Sequence, residues 1–349
     1  MKSVLVSVGW LAAILATSAA LSLAFIVMRP SMSAPWTRGP MIEVVSGGAT
    51  LAAEGDERCP SNRIAYDRTR PNRLYAAGSV SDDSGRTWRP LTSAGVSVRF
   101  SEEALPPVPG PDGRLLVGGV QFQGPGAPTD RSAIAPAAEW RDGGWVPFLG
   151  SAKWPTDALA SPADRRVRGL GYSPDGTAVV ANAREIATFG GRSWPTPGRL
   201  TGALVSETGT IYVAIHEEGR FGLYRAESLG APWVPVAGAS GVDLLTEGAG
   251  AVLVISGMRL GRLDRGQWTW TDLPSSGQPQ GLAAHPTRPL IAAWDGSQLL
   301  TSSDGGRAFR TSPLGFEVEW AAWDPFANDT LTLVDRNREV HQLSLQALP

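Results

Sequence analysis

The chain has 349 residues, of which 42% are apolar and 18% are charged, and it contains 41 glycines, 28 prolines and one cysteine. This composition excludes a disordered chain, a coiled coil and a disulfide-stabilised scaffold, and it predicts a turn-rich, mostly β protein. The formal charge of -2 provides no overall basic surface, so the sequence predicts no nucleic-acid partner.

The first predicted element is an apolar segment near the amino terminus. Residues 4–28 carry no charged side chain, and a helix of that length would cover about 37 Å, enough to cross a bilayer. A cleavable secretory signal is the alternative, because Lys2 precedes the apolar run and Ser22-Leu23-Ala24 is an acceptable cleavage site. The run is longer than a usual signal core, so we expect residues 1–29 to form an uncleaved transmembrane signal anchor.

A short linker is predicted after the anchor. Residues 30–40 (PSMSAPWTRGP) contain three prolines and a glycine, which is typical of an extended connection to a folded domain. We therefore expect the folded domain to span residues 41–349. Its single cysteine, Cys59, cannot form an internal disulfide and does not identify the compartment.

Three segments of this domain share one pattern of turn residues. They are SDDSGRTW (81–88), SSDGGRAF (302–309) and the more divergent ATFGGRSW (187–194). Each ends on an aromatic residue, and aromatics after related turns recur at Trp88, Trp145, Trp194, Trp233, Trp268 and Phe309. The spacings of 57, 49, 39, 35 and 41 residues indicate a repeat of about forty residues.

Each repeat also contains short apolar runs separated by turn residues. Runs of this length between turns predict strands, so each unit is a four-stranded meander. Seven such units predict an all-β fold, a seven-bladed β-propeller closed into a ring. The seventh unit (319–346) lacks its outer strand, and the run MIEVV (41–45) is placed to supply it. The predicted fold is therefore a propeller closed by an N-terminal strand and preceded by one transmembrane helix.

The repeated S-x-D-x-G-x-T-W spacing suits a turn between the third and fourth strands of a blade. The aspartate and serine can bond nearby backbone groups, the glycine can take a positive φ, and the aromatic residue can pack inward. This structural role is predicted for Ser81, Asp83, Gly85, Thr87 and Trp88 in the first motif and for Ser302, Asp304, Gly306 and Phe309 in the second. Because the turn uses the carboxylates, we expect neither aspartate to be catalytic or to bind a metal.

On these residues the chain resembles the Asp-box (BNR) repeat propellers, a superfamily that includes sialidases, sortilin-type receptors and photosystem II stability and assembly factors. The resemblance covers residues 41–346 and is carried by the two motifs. It implies a propeller of six or seven blades. It does not imply one activity, because a shared fold hosts unrelated functions.

A sialidase-like glycoside hydrolase is the main alternative function that the resemblance raises. Such an enzyme needs three arginines for the substrate carboxylate, a tyrosine nucleophile with a glutamate, and an acid/base aspartate. It also carries an F/Y-R-I-P motif, whereas NRIAY (62–66) keeps only Arg63 and Ile64. Tyr75, Tyr212 and Tyr224 lie inside predicted strands, where packing is the expected role. The sequence thus favours a protein without catalytic residues.

Neither a metal nor another cofactor is predicted. The three histidines, His216, His285 and His341, are scattered along the chain without a cysteine or carboxylate at a recognised ligand spacing. The sequence also has no Gly-rich phosphate loop and no G-x-S-x-G elbow. A glycan- or solute-binding propeller stays open as a third alternative.

Turns of a four-stranded blade alternate between two rims of the propeller. The first rim carries the first-to-second and third-to-fourth turns, and the second rim carries the second-to-third turns and the connections between blades. Two insertions, residues 121–132 and 149–168, belong to the second rim, and loops this long are usually functional or disordered. They predict a partner-binding second-rim surface formed by Phe122, Arg131, Lys153, Trp154, Arg165, Arg166 and Arg168. Two solvated, proline-rich flaps are the alternative.

The function predicted from these features is that of a membrane-anchored, extracytoplasmic β-propeller that serves as a non-catalytic interaction or assembly module. The expected partner is a membrane protein complex or another extracytoplasmic protein, with the membrane itself contacted through residues 4–28. The protein would be single-pass in the cytoplasmic (inner) membrane, with its propeller on the periplasmic side.

Overall fold

The structure, a computed structural model, describes residues 44–45, 63–76, 78–93, 96–100, 105–123, 134–148, 166–217 and 220–345. Within these ranges there is no helix of the length and apolarity needed to span a bilayer. The predicted anchor (1–29) and linker (30–40) lie outside the described residues.

Seven antiparallel sheets follow one another along the chain. Strand β1 (Val44–Val45) comes first. Blade one contains β2 (Ile64–Tyr66), β3 (Leu74–Ala76), β4 (Ser79–Ser81) and β5 (Arg89–Pro90). Blade two contains β6 (Ser97–Phe100), β7 (Val108–Pro109), β8 (Leu115–Gln123), β9 (Ile134–Arg141) and β10 (Gly144–Phe148). Blade three contains β11 (Gly169–Tyr172), β12 (Ala178–Ala181), β13 (Glu185–Thr188) and β14 (Ser193–Pro195).

The remaining four blades repeat the meander. Blade four contains β15 (Leu200–Val205), β16 (Ile211–Glu217), β17 (Arg220–Ala226) and β18 (Val234–Val236). Blade five contains β19 (Leu244–Gly248), β20 (Ala251–Ser256), β21 (Arg259–Asp264) and β22 (Gln267–Asp272). Blade six contains β23 (Gly281–Ala284), β24 (Ile291–Asp295), β25 (Gln298–Ser302) and β26 (Arg310–Pro313). Blade seven contains β27 (Val318–Trp323), β28 (Thr330–Asp335) and β29 (Val340–Ser344) from the end of the chain.

The first strands of the blades line the centre of a closed ring. Strand β2 lies against β27 of the last blade and against β7 of the second, and β11, β15, β19, β23 and β27 are neighbours in that order. The outer edge of blade seven is completed by β1, whose Val44 and Val45 pair with Leu343 and Gln342 of β29. The predicted seven-bladed ring and its closure by an N-terminal strand are therefore both confirmed.

Blade two departs from the predicted meander. Its innermost position is shared by two short strands, because β6 pairs with the far half of β8 and β7 pairs with the near half. The hairpin of β8 and β9 is accordingly longer than expected, with β8 continuing to Gln123.

The apolar core lies between blades, not within them. One buried cluster joins Tyr75 and Val80 of blade one to Leu115 and Val117 of blade two. Comparable clusters join blades two and three, three and four, four and five, five and six, and seven and one. A blade therefore gains its buried surface from its neighbours, which is why the units must be arrayed in a ring.

Tryptophan side chains add hydrogen bonds across these interfaces. In each case the indole nitrogen donates to a backbone carbonyl oxygen of an adjacent blade or of the segment that follows it. The pairs are Trp145 with Leu91 at 2.8 Å, Trp233 with Pro195 at 2.9 Å, Trp268 with Ala237 at 2.8 Å, Trp320 with Ile64 at 2.9 Å and Trp323 with Ala283 at 3.3 Å. Three of the recurring aromatics, Trp145, Trp233 and Trp268, thus form hydrogen bonds between blades in addition to packing in the core.

Candidate functional site

A cleft of about 660 Å³ opens on the first rim, between blades one and two. Its volume falls in the range of ordinary ligand sites. It is walled by charged side chains and floored by apolar ones from the cluster shared by the two blades. The lining residues are Arg70, Arg73, Tyr75, Val80, Arg89, Leu91, Asp112, Gly113, Arg114, Trp140, Arg141, Asp142 and Gly143. We call this site the arginine cleft.

Turns of the two meanders supply the walls of the arginine cleft. Arg70 lies in the turn between β2 and β3, and Asp112 lies in the 3-10 turn between β7 and β8. Arg141 ends β9, at the tight turn into β10, where Asp142 has a positive φ of 51°. A Cβ atom built on Gly113 would lie 3.8 Å from Nη2 of Arg70, so the Arg70 side chain reaches from blade one to blade two.

Asp82 holds two of the arginines in place. Its carboxylate accepts a hydrogen bond of 2.5 Å from Nε of Arg73 and one of 3.0 Å from Nη2 of Arg89. Burial acts to raise the pKa of Asp82, but the hydrogen bonds and charges of Arg89 and Arg73 outweigh it and hold the pKa below its usual value. The carboxylate therefore stays ionised, and the two guanidinium groups stay fixed beside the cleft.

Glu139 of β9 is fully buried behind the opposite wall. Its Oε1 accepts a hydrogen bond of 2.7 Å from Nε of Arg114 and one of 3.1 Å from the hydroxyl of Tyr172. Nη1 of Arg114 also donates to the carbonyl oxygen of Gly176 at 2.7 Å. Its Oε2 has no hydrogen-bond partner among the described residues, and Nη1 of Arg141 lies 3.6 Å away. Hydrogen bonds thus fix Arg114 between blades two and three, whereas the exposed Arg141 is attracted to Glu139 by charge.

The arginine cleft is suited to a ligand that carries negative charge and an apolar group. Five arginines and two aspartates line it, a net charge of +3, which the adjacent Asp82 and Glu139 reduce to +1. Arg70 and Arg141 are exposed and can orient several N–H donors toward a carboxylate. The ring of Tyr75 lies at the base of the cleft. Burial raises the pKa of its hydroxyl most strongly, and the negative charge of Asp67 raises it further. That hydroxyl donates to Asp67 at 3.1 Å.

The two sequence motifs form third-to-fourth turns on the same rim, and the first of them contains Asp82 beside the arginine cleft. In the first, the Ser81 hydroxyl donates to Asp83 at 2.8 Å and accepts from the Gly85 N–H at 2.8 Å. Asp83 also accepts from the Thr87 N–H at 2.8 Å and from its hydroxyl at 2.6 Å. Gly85 has a φ of 88°, and the Trp88 indole donates to its carbonyl at 3.0 Å. The polar side-chain groups of Ser81, Asp83, Thr87 and Trp88 therefore all form hydrogen bonds within the turn.

The second motif repeats this arrangement between β25 and β26. The Ser302 hydroxyl donates to Asp304 and accepts from the Gly306 N–H, both at 2.8 Å. Asp304 accepts from the N–H groups of Arg307 and Ala308, and Gly306 again has a φ of 88°. Phe309 packs against the apolar cluster shared by blades five and six.

Comparison with known proteins finds similarity at the level of the fold. No family model and no curated protein matches the chain. Among solved structures, YCF48 from Cyanidioschyzon merolae is 15% identical, with 82% of this chain and 96% of that chain covered and a TM-score of 0.52. A structure of YCF48 bound to D1 peptide is 16% identical, with coverages of 86% and 100% and a TM-score of 0.53. The WD40 repeats of RRP9 are 12% identical, with coverages of 86% and 99% and a TM-score of 0.55.

These similarities agree with the ring described above. At such low identity they show the propeller fold alone, and the neighbours include more than one propeller type. The chain spans nearly the whole length of each neighbour, so the likeness extends around the ring.

The structure corrects one residue of the predicted second-rim surface. Phe122 lies in β8, not in a loop, and only 5% of its surface is exposed because it packs into the cluster between blades one and two. It is therefore not available as a surface anchor. Arg166 is exposed and Arg168 half-buried just before β11. The other four members, Arg131, Lys153, Trp154 and Arg165, lie outside the described residues.

Four of the five tyrosines lie in surroundings unlike those of a glycosidase nucleophile. Burial raises the pKa of Tyr66, Tyr75, Tyr172 and Tyr212, and for each of them it is the largest influence. The Tyr66 hydroxyl is paired with that of Thr332 at 2.6 Å inside the protein. Arg63 lies with its guanidinium 5.3 Å from the centre of the Trp320 ring. An activated phenol would need the opposite pKa shift.

Proposed function

We propose that this protein is a non-catalytic interaction module whose arginine cleft binds an extended segment of a partner protein. The observation that carries the proposal is the cleft itself, with exposed guanidinium groups above an apolar floor at a blade boundary. Arginine beside aromatic and aliphatic side chains is the composition of energetically important interface sites. The partner segment would place a carboxylate near Arg70 and Arg141 and an apolar side chain against Trp140, the half-buried aromatic residue of the cleft.

A structural neighbour supports binding of a segment of this kind. One of the similar propellers, YCF48, was solved bound to D1 peptide, so a ring of this fold can hold a peptide. The two serine–aspartate turns support the further proposal that the chain is an Asp-box propeller, related to the assembly factors of that superfamily. The bound peptide of that neighbour supports an interaction or assembly role, whereas the serine–aspartate turns support only the fold, because Asp-box propellers also include sialidases.

The proposal includes a membrane anchor and an extracytoplasmic propeller. It rests on the uncharged segment 4–28, which is long enough to cross a bilayer. Protease added to intact spheroplasts would degrade the propeller if it faces the periplasm, and alkaline extraction would leave the chain in the membrane. Protection of the propeller from the protease, or its release by alkali, would contradict the anchored arrangement.

The test of the arginine cleft is co-purification of partners from detergent-solubilised membranes, quantified by mass spectrometry. We expect the double variant Arg70→Glu with Arg141→Gln to lose the specific partner, because both side chains are exposed and supply the donors that face the ligand. The matched control is Arg192→Glu, an exposed arginine in a third-to-fourth turn of blade three on the same rim. Unchanged recovery with the double variant would overturn the proposal for this cleft.

The second-rim surface provides a separate outcome of the same experiment. Deleting the loop residues 124–132 and 149–165 would remove Arg131, Lys153, Trp154 and Arg165 while keeping Phe122 in the core. Partner loss with this deletion, but not with the cleft variant, would place the binding site on the second rim instead. Loss with both would indicate a partner large enough to contact the two rims.

A further inference from the structure

We propose that Asp335, Glu339 and His341 form a binding site for a divalent transition metal on the second rim of blade seven, with Zn²⁺ as the representative ion. One ligand atom from each residue lies within 4.8 Å of the others. The site is on the rim opposite the arginine cleft, and it does not depend on the proposed function.

The hairpin between β28 and β29 brings the three residues together. Asp335 ends β28, and His341 is the second residue of β29. The turn is tight, since the N–H of Arg338 donates to the Asp335 carbonyl at 3.0 Å and Arg338 has a positive φ of 71°. The spacing along the chain gives no sign of this cluster, because Asp335 and His341 are brought together only when the hairpin forms.

The two inner ligands are held rigidly. Oδ1 of Asp335 accepts the Glu339 N–H at 2.8 Å, which leaves Oδ2 directed toward the imidazole. Phe316 stacks on the His341 ring with a centroid distance of 3.9 Å and an interplanar angle of 11°. Asp335 and His341 are both buried, whereas Glu339 is exposed. The site is therefore preorganised on its inner side and open to solvent on its outer side.

The geometry of the pair fits a shared ion. Nε2 of His341 lies 3.3 Å from Oδ2 of Asp335, which is long for a hydrogen bond between such groups. Two ligand atoms bound at the usual zinc distances with tetrahedral angles are about 3.4 Å apart. Two carboxylates also balance the charge of a divalent cation, and one imidazole with two carboxylates suits zinc and its neighbours. Three protein ligands would leave one position for water.

Arg336, a cation next to the site in sequence, is paired with another carboxylate. Arg336 on the same turn pairs with Glu317 at 2.6 Å. The backbone N–H of Arg336 also donates to the backbone carbonyl oxygen of Glu317 at 3.1 Å. This pairing holds the guanidinium of Arg336 on Glu317. Metal binding would cross-link β28 and β29 at the turn of their hairpin, so it should stabilise the blade that the N-terminal strand completes.

The experiment is titration of the full chain with Zn²⁺ and Co²⁺, prepared without a histidine tag. Cys59→Ser is present in every protein, so that the only thiolate does not compete. We expect one ion per chain by calorimetry, a rise in melting temperature with Zn²⁺ but not with Mg²⁺, and the strong visible absorption of tetrahedral Co²⁺. Glu339→Gln should weaken Zn²⁺ binding by about 100-fold, and His341→Asn by at least as much.

The Glu339→Gln variant distinguishes a metal site from a simple hydrogen bond between Asp335 and His341. Its exposed side chain takes no part in the Asp335–His341 contact, so its replacement should leave folding intact even if His341→Asn unfolds the blade. The matched control is His216→Asn, which removes an exposed histidine from the corresponding hairpin of blade four. Absence of stoichiometric binding, or binding unaffected by Glu339→Gln, would overturn the proposal.

Discussion

The indole nitrogen of Trp320 in blade seven donates a hydrogen bond of 2.9 Å to the carbonyl oxygen of Ile64 in blade one. The two residues are 256 positions apart in the chain, and the bond joins the last blade to the first. The Trp320 ring also packs edge-on against Trp294 of blade six, with ring centres 6.0 Å apart. One side chain thus connects three blades at the point where the ring closes.

Trp320→Phe should therefore weaken the closure. Phenylalanine keeps an aromatic ring but leaves the partly buried Ile64 carbonyl without its donor, so we expect a loss of about 1–2 kcal/mol in the free energy of unfolding. The comparison is Trp233→Phe, which removes an equivalent bond to Pro195 at an exposed position and should cost less. Urea denaturation of both variants measures the difference, and equal losses would contradict a special role for the closing bond.

Gly281 is predicted to tolerate no side chain. A Cβ atom at this buried position in β23 would lie 1.8 Å from the ring of Trp294. Because the Trp294 ring is fully buried, it has little room to move. We expect Gly281→Ala to destabilise the protein by about 1–3 kcal/mol through overpacking. Gly202→Ala is the control, because its Cβ would meet no atom within 4 Å. Similar melting temperatures for the two variants would show that the core around Trp294 is looser than the structure indicates.

The blade count could be predicted from the sequence because the signals are local. Short apolar runs and the turn residues around Asp83 and Asp304 recur along the chain, so counting them gave seven units. The orphan run at Val44 and Val45 could be assigned by elimination, since one blade lacked a strand. Local pattern was sufficient for counting the blades, although it did not reveal the extra strand β6 of blade two.

The arginine cleft could not be predicted in the same way. Arg114 and Glu139 are 25 residues apart, and Arg70 belongs to another blade, so nothing along the chain links them. Phe122 was assigned to the inserted loop at residues 121–132, whereas β8 continues through it. Strand ends depend on tertiary pairing, and here the extra strand β6 provides the partner for that extension.

Acid should remove the contribution of the Asp83 carboxylate to the stability of the protein. Burial acts to raise its pKa, but hydrogen bonds from Thr87 and Ser81 outweigh burial and lower the pKa below its usual value. The folded state therefore favours the ionised carboxylate, which stabilises the protein above the unfolded pKa of about 3.9 and ceases to do so as the pH falls through the lower folded value.

We expect Asp83→Asn to be less stable than the parent at neutral pH, with the difference shrinking between pH 4 and pH 2. Urea midpoints measured across that range test the sign. Asp304→Asn should behave in the same way, because the pKa of Asp304 is lowered by the equivalent hydrogen bonds, again against the effect of burial. The exposed Asp272 is the control position. A difference that grows on acidification would contradict the assignment.

The N-terminal strand is predicted to be part of the folded propeller and not an accessory to it. Val44 and Val45 pair with β29, and without them the outer edge of blade seven would present unpaired backbone groups to other chains. The matched pair of truncations removes residues 1–40 or residues 1–46, so that both lack the apolar segment and only the second lacks β1. We expect the shorter truncation to stay monodisperse, and the longer one to melt at a lower temperature and to associate at high concentration. Equal melting temperatures and equal elution volumes would mean that three strands suffice for blade seven.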